Sequence, residues 1–162
     1  MARMFIAAWP PPEVIAVLDA LPREPSDGVR FSTAGQWHAT LRFLGEVDPD
    51  LAAEAVAGLA FPAVEAVVGP AVERIAPGIV VAPIGGLDPV AAAVAALDVG
   101  ERDDRPFRGH ITLARQKRGD GCSLDGVPIQ ATFTVDEVAL VRSELHADGA
   151  RYTTVTRVAA TS

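Results

Sequence analysis

Two segments of this chain alternate between polar and hydrophobic residues. Because successive side chains of a strand point to opposite faces, such alternation predicts half-buried strands. In residues 36–44 and 109–114, the face predicted to be polar carries His38, Thr40 and Arg42, and then His110 and Thr112. The other face of each segment is apolar and is expected to pack in the core.

The rest of the pattern predicts short strands and three helices. The further strands are expected at residues 3–9, 29–32, 63–68, 78–84, 132–135, 137–143 and 151–158. Proline is tolerated in the first turn of a helix, so helices are expected after residues 10–12, at Asp48-Pro49 and at Asp88-Pro89. Strands and helices do not alternate as in a parallel sheet, which favours an α+β fold with antiparallel sheets.

The two alternating segments occupy similar places in the two halves of the chain. We therefore expect residues 1–162 to form a single bilobal domain. Its two pseudo-symmetric lobes would consist of mainly antiparallel sheet with flanking helices, and the active-site cleft would lie between them.

Composition limits what this chain can bind. Hydrophobic residues make up 49% and charged residues 22% of the 162, which is typical of a globular protein. A net charge of −7 argues against an extended nucleic-acid track, which depends on cation–phosphate contacts. No apolar stretch has the roughly 18 residues of a membrane span, and no signal peptide is recognisable. We expect a cytoplasmic protein without membrane contact, and a monomer.

Cysteine and histidine spacing gives no sign of a metal site, so no metal and no other cofactor is expected. The single Cys122 lies in a polar, glycine-rich loop and cannot form an internal disulfide. Basic residues concentrate in one region, at Arg102, Arg105, Arg108, Arg115, Lys117 and Arg118. Such a local cluster suits a small anionic group better than a long duplex.

The alternating segments share one motif, His-x-Thr followed by an apolar residue. It occurs at residues 38–41 and again 72 residues later at 110–113, and these two copies use two of the three histidines. On a strand, the imidazole and hydroxyl of each copy point the same way. Two such strands facing each other would bring an acid and a base to one site. The third histidine, His146, has no threonine partner and is interpreted as structural.

Phosphodiester cleavage needs this set of groups. The attacking oxygen must lose a proton, the leaving oxygen must gain one, and the phosphate oxygens need hydrogen-bond donors. Thr40, Thr112 and Arg115 are the candidate donors. Arg42 is a further candidate for substrate contact. Phe43 is expected in the core, unless the alternation breaks near the strand's end and lets it stack on a base.

With these motifs, the chain resembles the 2H phosphoesterase superfamily, which is named for two such motifs. It is most similar to the RNA 2′,3′-cyclic phosphodiesterase branch, long called 2′-5′ RNA ligases. The resemblance rests mainly on residues 38–45, HATLRFLG, and 105–115, RPFRGHITLAR. Residues 4–7, 143–145 and 149–152 agree with it, and residues 61–100 match least.

The resemblance implies hydrolysis of a 2′,3′-cyclic phosphate at an RNA end to a 2′-phosphate, without a metal. It implies that His38 is the proton donor, that His110 is the proton acceptor, and that Thr40, Thr112 and Arg115 bind the phosphate. The residue before the second histidine is commonly proline in this family, and Gly109 here predicts a looser approach of that strand. The alternatives are reversible 2′-5′ ligation and a non-catalytic binder of phosphorylated RNA ends or nucleotides. A small cyclic nucleotide is an equally open substrate.

Overall fold

Ten strands and three α-helices make up most of the chain in the computed structural model, which describes residues 1–161. The strands are β1 (Ala2–Ala8), β2 (Val29–Phe31), β3 (Ala39–Val47), β4 (Val64–Val68), β5 (Glu73–Ala76), β6 (Ile79–Gly85), β7 (His110–Gln116), β8 (Ala131–Val135), β9 (Glu137–His146) and β10 (Gly149–Ala159). The helices are α1 (Pro12–Asp19), α2 (Pro49–Ala57) and α3 (Asp88–Ala95), and a 3-10 turn covers Ala34–Gln36. Neighbouring strands pair antiparallel. The predicted α+β fold with an antiparallel sheet is confirmed.

Helix starts follow the prolines of the sequence. Each helix has a proline in its first two positions, where the missing N–H leaves no hydrogen bond unmade. The carboxylate of Asp48 caps α2 by accepting a hydrogen bond from the Asp50 backbone N–H at 2.9 Å. Asp88 is instead the first residue of α3, and Leu87 occupies the position before it.

The sheet consists of two halves, one of four strands and one of six. Its strand order is β10-β9-β1-β3-β7-β6-β4-β8, with β2 paired to β7 and β5 paired to β6. A single register pair among the described residues, Ala39 with Ile111, joins β3 to β7, and we call this junction the seam. The succession of a strand, a helix and a motif strand occurs in both halves, as β1, α1 and β3 and as β6, α3 and β7. This repeat places the two motifs side by side.

Helices of one half pack on strands of the other. α3 lies against β3, and α1 lies against β8, while α2 packs on β9 and β10. The main core fills the space between the helices and the sheet. A second, smaller cluster lies on the opposite face of β1 and β9 and consists of Phe5, Ala7, Ala139 and Val141, with Trp9 and Tyr152 at its border. β1 is therefore covered on both faces.

Both motif strands contain an extra residue at the motif leucine. Along β3 the register passes from Thr40 to Arg42 while β1 advances by one residue, so Leu41 has no partner of its own. Along β7 the register passes from Thr112 to Ala114 against consecutive residues of β6, so Leu113 is the extra residue. A bulge of this kind changes which later residues face which side of the sheet.

Candidate active site

The two motif histidines are held in the same way. Nδ1 of His38 lies 2.7 Å from the carbonyl oxygen of Gln36, and Nδ1 of His110 lies 2.7 Å from the carbonyl oxygen of Arg108. Since a carbonyl can only accept, each Nδ1 carries the hydrogen. In the neutral ring, Nε2 is then left with a free lone pair. Both imidazoles thus offer the same nitrogen for proton transfer.

The carbonyl that orients His38 belongs to a turn rather than to the strand. The prediction that a strand begins at residue 36 is wrong, because residues 34–36 form a 3-10 turn and β3 begins at Ala39. The side-chain oxygen of Gln36 accepts from the backbone N–H of Thr33 at 3.0 Å, and its amide donates to the carbonyl of Ala150 at 2.9 Å. Gln36 is therefore fixed at both ends, which fixes the carbonyl that holds His38.

His38 lies in a pocket of three aromatic rings, which we call the aromatic pocket. Its ring stacks on Phe5 with centroids 4.7 Å apart, and it meets the rings of Trp9 and Tyr152 edge-on at 5.7 and 5.0 Å. Burial in this pocket lowers the pKa of His38, while the hydrogen bond to Gln36 acts in the opposite direction. His38 is accordingly held toward its neutral form, and its Nε2 accepts a hydrogen bond from the Thr40 hydroxyl at 2.8 Å.

The seam brings the two motifs together. With Ala39 opposite Ile111 in an antiparallel ladder, His38 falls beside Thr112, and Thr40 falls beside His110, on one face of the sheet. The two imidazoles are close enough that the charge of His110 further lowers the pKa of His38. The four motif side chains therefore form one group, with the histidines diagonal to each other.

The bulge at Leu113 accounts for the position of Arg115. Without the extra residue, Arg115 would point away from the face of His110 and Thr112. With it, Ala114 turns into the core and Arg115 is exposed on the other side. Burial raises the pKa of the Tyr152 phenol, and the charges of Arg115 and Arg3 counter this rise. Both guanidinium groups therefore lie within electrostatic reach of the ring that borders His38.

Arg42 does not lie where strict alternation predicted. Because of the bulge at Leu41, its side chain turns into the molecule, where it is 7% exposed. Its guanidinium donates five hydrogen bonds to the carbonyls of Val94, Leu97, Val99 and Glu101 at the end of α3 and in the segment that follows. The prediction that it shares the His38 face is wrong, and its donors are used within the protein.

Phe43 takes the place on the site face that Arg42 was expected to fill. It is 58% exposed, and its ring lies 6.0 Å from Phe5, the ring on which His38 stacks. The expectation that Phe43 packs in the core is therefore wrong. The alternative, that a break in the alternation exposes it beside the site, agrees with the bulge at Leu41.

Gly109 makes the approach of its strand closer rather than looser, contrary to the prediction from the family pattern. Its carbonyl accepts from the backbone N–H of Ile84 at 2.9 Å. A Cβ at position 109 would lie 2.5 Å from the carbonyl oxygen of Ile84, which is far inside normal contact. Glycine is thus required for β6 to approach the backbone just before His110.

Most of the basic cluster is occupied by ion pairs. Arg102, Arg105, Arg108 and Arg118 pair with Asp98, Asp103, Glu73 and Asp27. Arg115 and Lys117 have no carboxylate within 4.0 Å among residues 1–161. His146 lies at the end of β9, with its Nε2 3.8 Å from Glu144.

Three residues of the site were not singled out from the sequence as site residues, namely Phe5, Trp9 and Tyr152. Alternation along β1 would have placed Phe5 and Trp9 on one face, but nothing in the sequence indicates that this face meets His38.

Within residues 1–161, no group of three or more His, Cys, Asp or Glu side chains could hold a metal ion. None of the helices described here is long and apolar enough to cross a membrane.

Comparison with known proteins gives structural similarity without a close relative in sequence. No protein-family profile and no curated protein sequence matches the chain. The crystal structure of TT0787 from Thermus thermophilus is 26% identical, with a TM-score of 0.79 and coverage of 97% of both chains. E. coli LigT in complex with NADP+ is 23% identical, with a TM-score of 0.80 and coverage of 99% of both chains. LigT in complex with 3′-AMP matches over the same extent at a TM-score of 0.76 and 23% identity. The chain therefore has the fold of LigT and TT0787 over nearly its whole length.

Proposed function

We propose that this protein is a metal-independent phosphoesterase of the 2H superfamily that hydrolyses RNA 2′,3′-cyclic phosphate ends to 2′-phosphates. The observation that carries the proposal is the pairing of two imidazoles with the same tautomer on one face of the seam. Each presents Nε2, and the charge of one lowers the pKa of the other. Two such groups meet the need of phosphodiester hydrolysis for one acid and one base.

In the proposed reaction, His110 takes a proton from water as the water oxygen attacks phosphorus. The bond between phosphorus and the 3′ oxygen breaks, and His38 donates its proton to that oxygen, so that the 2′-phosphate remains. Thr40, Thr112 and Arg115 bind the phosphate oxygens, on which negative charge accumulates. Protonation of His38 at Nε2 leaves no lone pair for the Thr40 hydroxyl. That hydroxyl is then available to donate to the substrate.

Two features support a nucleotide substrate. Phe43 is an exposed ring beside the aromatic pocket, where a base could stack on it. Proteins with the same fold have been crystallised with nucleotide ligands, since the LigT structures include complexes with 3′-AMP, ATP and NADP+. A further LigT structure contains phosphate, and another protein of this fold is described as a phosphoesterase.

The proposal is tested with a 5′-labelled oligoribonucleotide that ends in a 2′,3′-cyclic phosphate, in the presence of EDTA. We expect turnover by the native protein and a loss of about 10²–10⁴-fold in kcat for both His38→Gln and His110→Gln. His146→Gln is the matched control, because this histidine belongs to neither motif and has no threonine partner, and it should retain full activity. Thermal unfolding of all three variants checks that the fold is intact.

The product distinguishes the proposed reaction from its alternatives. Hydrolysis as proposed gives a 2′-phosphate, which phosphorus NMR separates from a 3′-phosphate. Addition of an oligonucleotide with a 5′-hydroxyl detects 2′-5′ ligation, which uses the same acid and base in reverse. Retained turnover in either motif variant contradicts the two-histidine mechanism. Tight binding of the RNA end without turnover identifies a binding protein instead.

A further inference from the structure

Two arginines stand opposite each other at the edge of the proposed active site. Arg30 of β2 is the direct register partner of Arg115 of β7. In the next register pair, Phe31 faces Ala114 and packs toward the main core, so the two arginines point to the other side, and both are exposed. This is the side on which the bulge at Leu113 places Arg115 with the motif residues.

Neither of these charges is neutralised within residues 1–161. Nine of the fourteen lysine and arginine side chains form ion pairs with carboxylates. Acidic residues outnumber basic ones in this chain, whose net charge is −7, so an unpaired arginine is not due to a shortage of carboxylates. Arg30 and Arg115 are among the five that do not. Arg30 donates to the backbone carbonyl of Asp148, which holds the guanidinium in place without cancelling its charge.

Like charges directly opposite each other on neighbouring strands destabilise a sheet. An anion between or beside them reverses that effect, because each guanidinium can donate two hydrogen bonds to a phosphate. Directly opposed residues have their Cβ atoms roughly 4.5–5.5 Å apart, so both arginines can reach phosphates that are adjacent along one strand. With the Arg30 guanidinium held at the carbonyl of Asp148 and Arg115 on the face of the motif residues, the pair can bind two neighbouring phosphates.

We propose that Arg30 binds the internucleotide phosphate on the 5′ side of the terminal nucleotide, while Arg115 binds the terminal cyclic phosphate. This inference rests on the proposed function, because it assumes that the reacting phosphate lies between the motif histidines. It names the substrate class: the end of an RNA strand is preferred to a cyclic mononucleotide, which has no such second phosphate. The proposed contact involves only two phosphates at the end of the strand. It therefore agrees with the net charge of −7, which argues against an extended nucleic-acid track.

The test compares kcat/KM for a short oligoribonucleotide ending in a 2′,3′-cyclic phosphate with kcat/KM for 2′,3′-cyclic AMP. Native protein should favour the oligonucleotide, and Arg30→Gln should reduce this preference about tenfold, as expected for the loss of one charge-assisted contact. Arg30→Lys should restore most of the preference, because it keeps the charge. Arg157→Gln is the matched control: it is also an exposed strand arginine, but it pairs with Glu137, and it should leave the ratio unchanged.

Binding provides a readout that does not depend on catalysis. Fluorescence anisotropy with an oligonucleotide carrying a terminal 2′-phosphate should show that Arg30→Gln makes the negative slope of log affinity against log salt less steep by about 0.7, the contribution of one phosphate contact. An equal loss on both substrates, or an unchanged slope, overturns the subsite. If native protein turns over neither substrate, the proposed function fails, while the salt slope still decides whether Arg30 contacts a phosphate.

Discussion

The ring of Phe5 stacks on the imidazole of His38, with centroids 4.7 Å apart and planes inclined by 29°. This contact covers one face of the imidazole with hydrocarbon, and burial is the largest cause of the lowered pKa of His38. Phe5 belongs to β1, whose other face packs in the main core. A strand that carries no motif residue therefore contributes to the burial that lowers the pKa of His38.

We expect Phe5→Leu to raise the pKa of His38 toward its ordinary value, because water regains access to the ring. In the proposed reaction the protonation state of His38 controls activity, so one limb of the profile of kcat/KM against pH reports its pKa. That limb should move to higher pH in the variant, while the other limb stays in place. The measurement is that profile for native and variant protein on the cyclic-phosphate oligonucleotide.

Phe61→Leu is the control for this substitution, because it also shortens a buried phenylalanine but lies in the main core. It should leave both limbs of the profile in place. An unmoved profile would show that the stacked ring does not control the pKa.

Arg42→Met should destabilise the protein by about 3 kcal/mol in urea unfolding, since the carbonyls of Val94, Leu97, Val99 and Glu101 lose the hydrogen bonds that the buried guanidinium donates. Activity per folded molecule should change little, because the guanidinium is turned away from the site. Arg102→Met removes a neighbouring, exposed arginine and should cost under about 0.5 kcal/mol. A raised KM with unchanged stability would indicate that Arg42 contacts substrate after all.

Gly109→Ala should destabilise the protein by about 2 kcal/mol and lower kcat, because the added methyl group forces the strand before His110 away from Ile84. The matched control is Gly85→Ala in β6, where a Cβ would meet nothing within 4 Å. Urea unfolding and steady-state kinetics of both variants provide the comparison. Equal behaviour of the two variants would refute the requirement for close approach at position 109.

Phe43→Ser should raise KM for nucleotide substrates about tenfold, the effect of losing one stacked base, and leave stability nearly unchanged because the ring is exposed. Leu51→Ser is a suitable control, as Leu51 is similarly exposed but lies on α2. Steady-state kinetics with 2′,3′-cyclic AMP gives the measurement. A drop in kcat at constant KM would indicate a catalytic rather than a binding role.

Much of the fold could be predicted from periodicity and turn chemistry. Prolines mark the helix starts, and alternation indicates the strands, because both signals act over a few neighbouring residues. The antiparallel α+β class follows from the order of these elements. The repeated motif predicts that the two motif strands meet at one site, but it does not predict that β3 and β7 are hydrogen-bonded neighbours in one sheet.

The faces of Arg42 and Phe43 could not be predicted, because a bulge depends on the partner strand. Nothing in the sequence around Leu41 distinguishes a bulged strand from a regular one. One extra residue exchanges the environments of the two side chains that follow it. The aromatic pocket has a similar origin, since Phe5 and Tyr152 reach His38 through pairings between distant parts of the chain.

α3 of the second half packs on β3 of the first half, and α1 of the first half packs on β8 of the second. These two helices therefore connect the two halves of the sheet. Arg42 strengthens this connection, because its side chain extends from β3 in the first half to the end of α3 in the second. A junction with one backbone pair would otherwise allow the halves to hinge, and with them the two imidazoles. The distance between the two imidazoles thus depends on side chains far from both rings, and loosening either helix should disorder the candidate site before it unfolds the sheet.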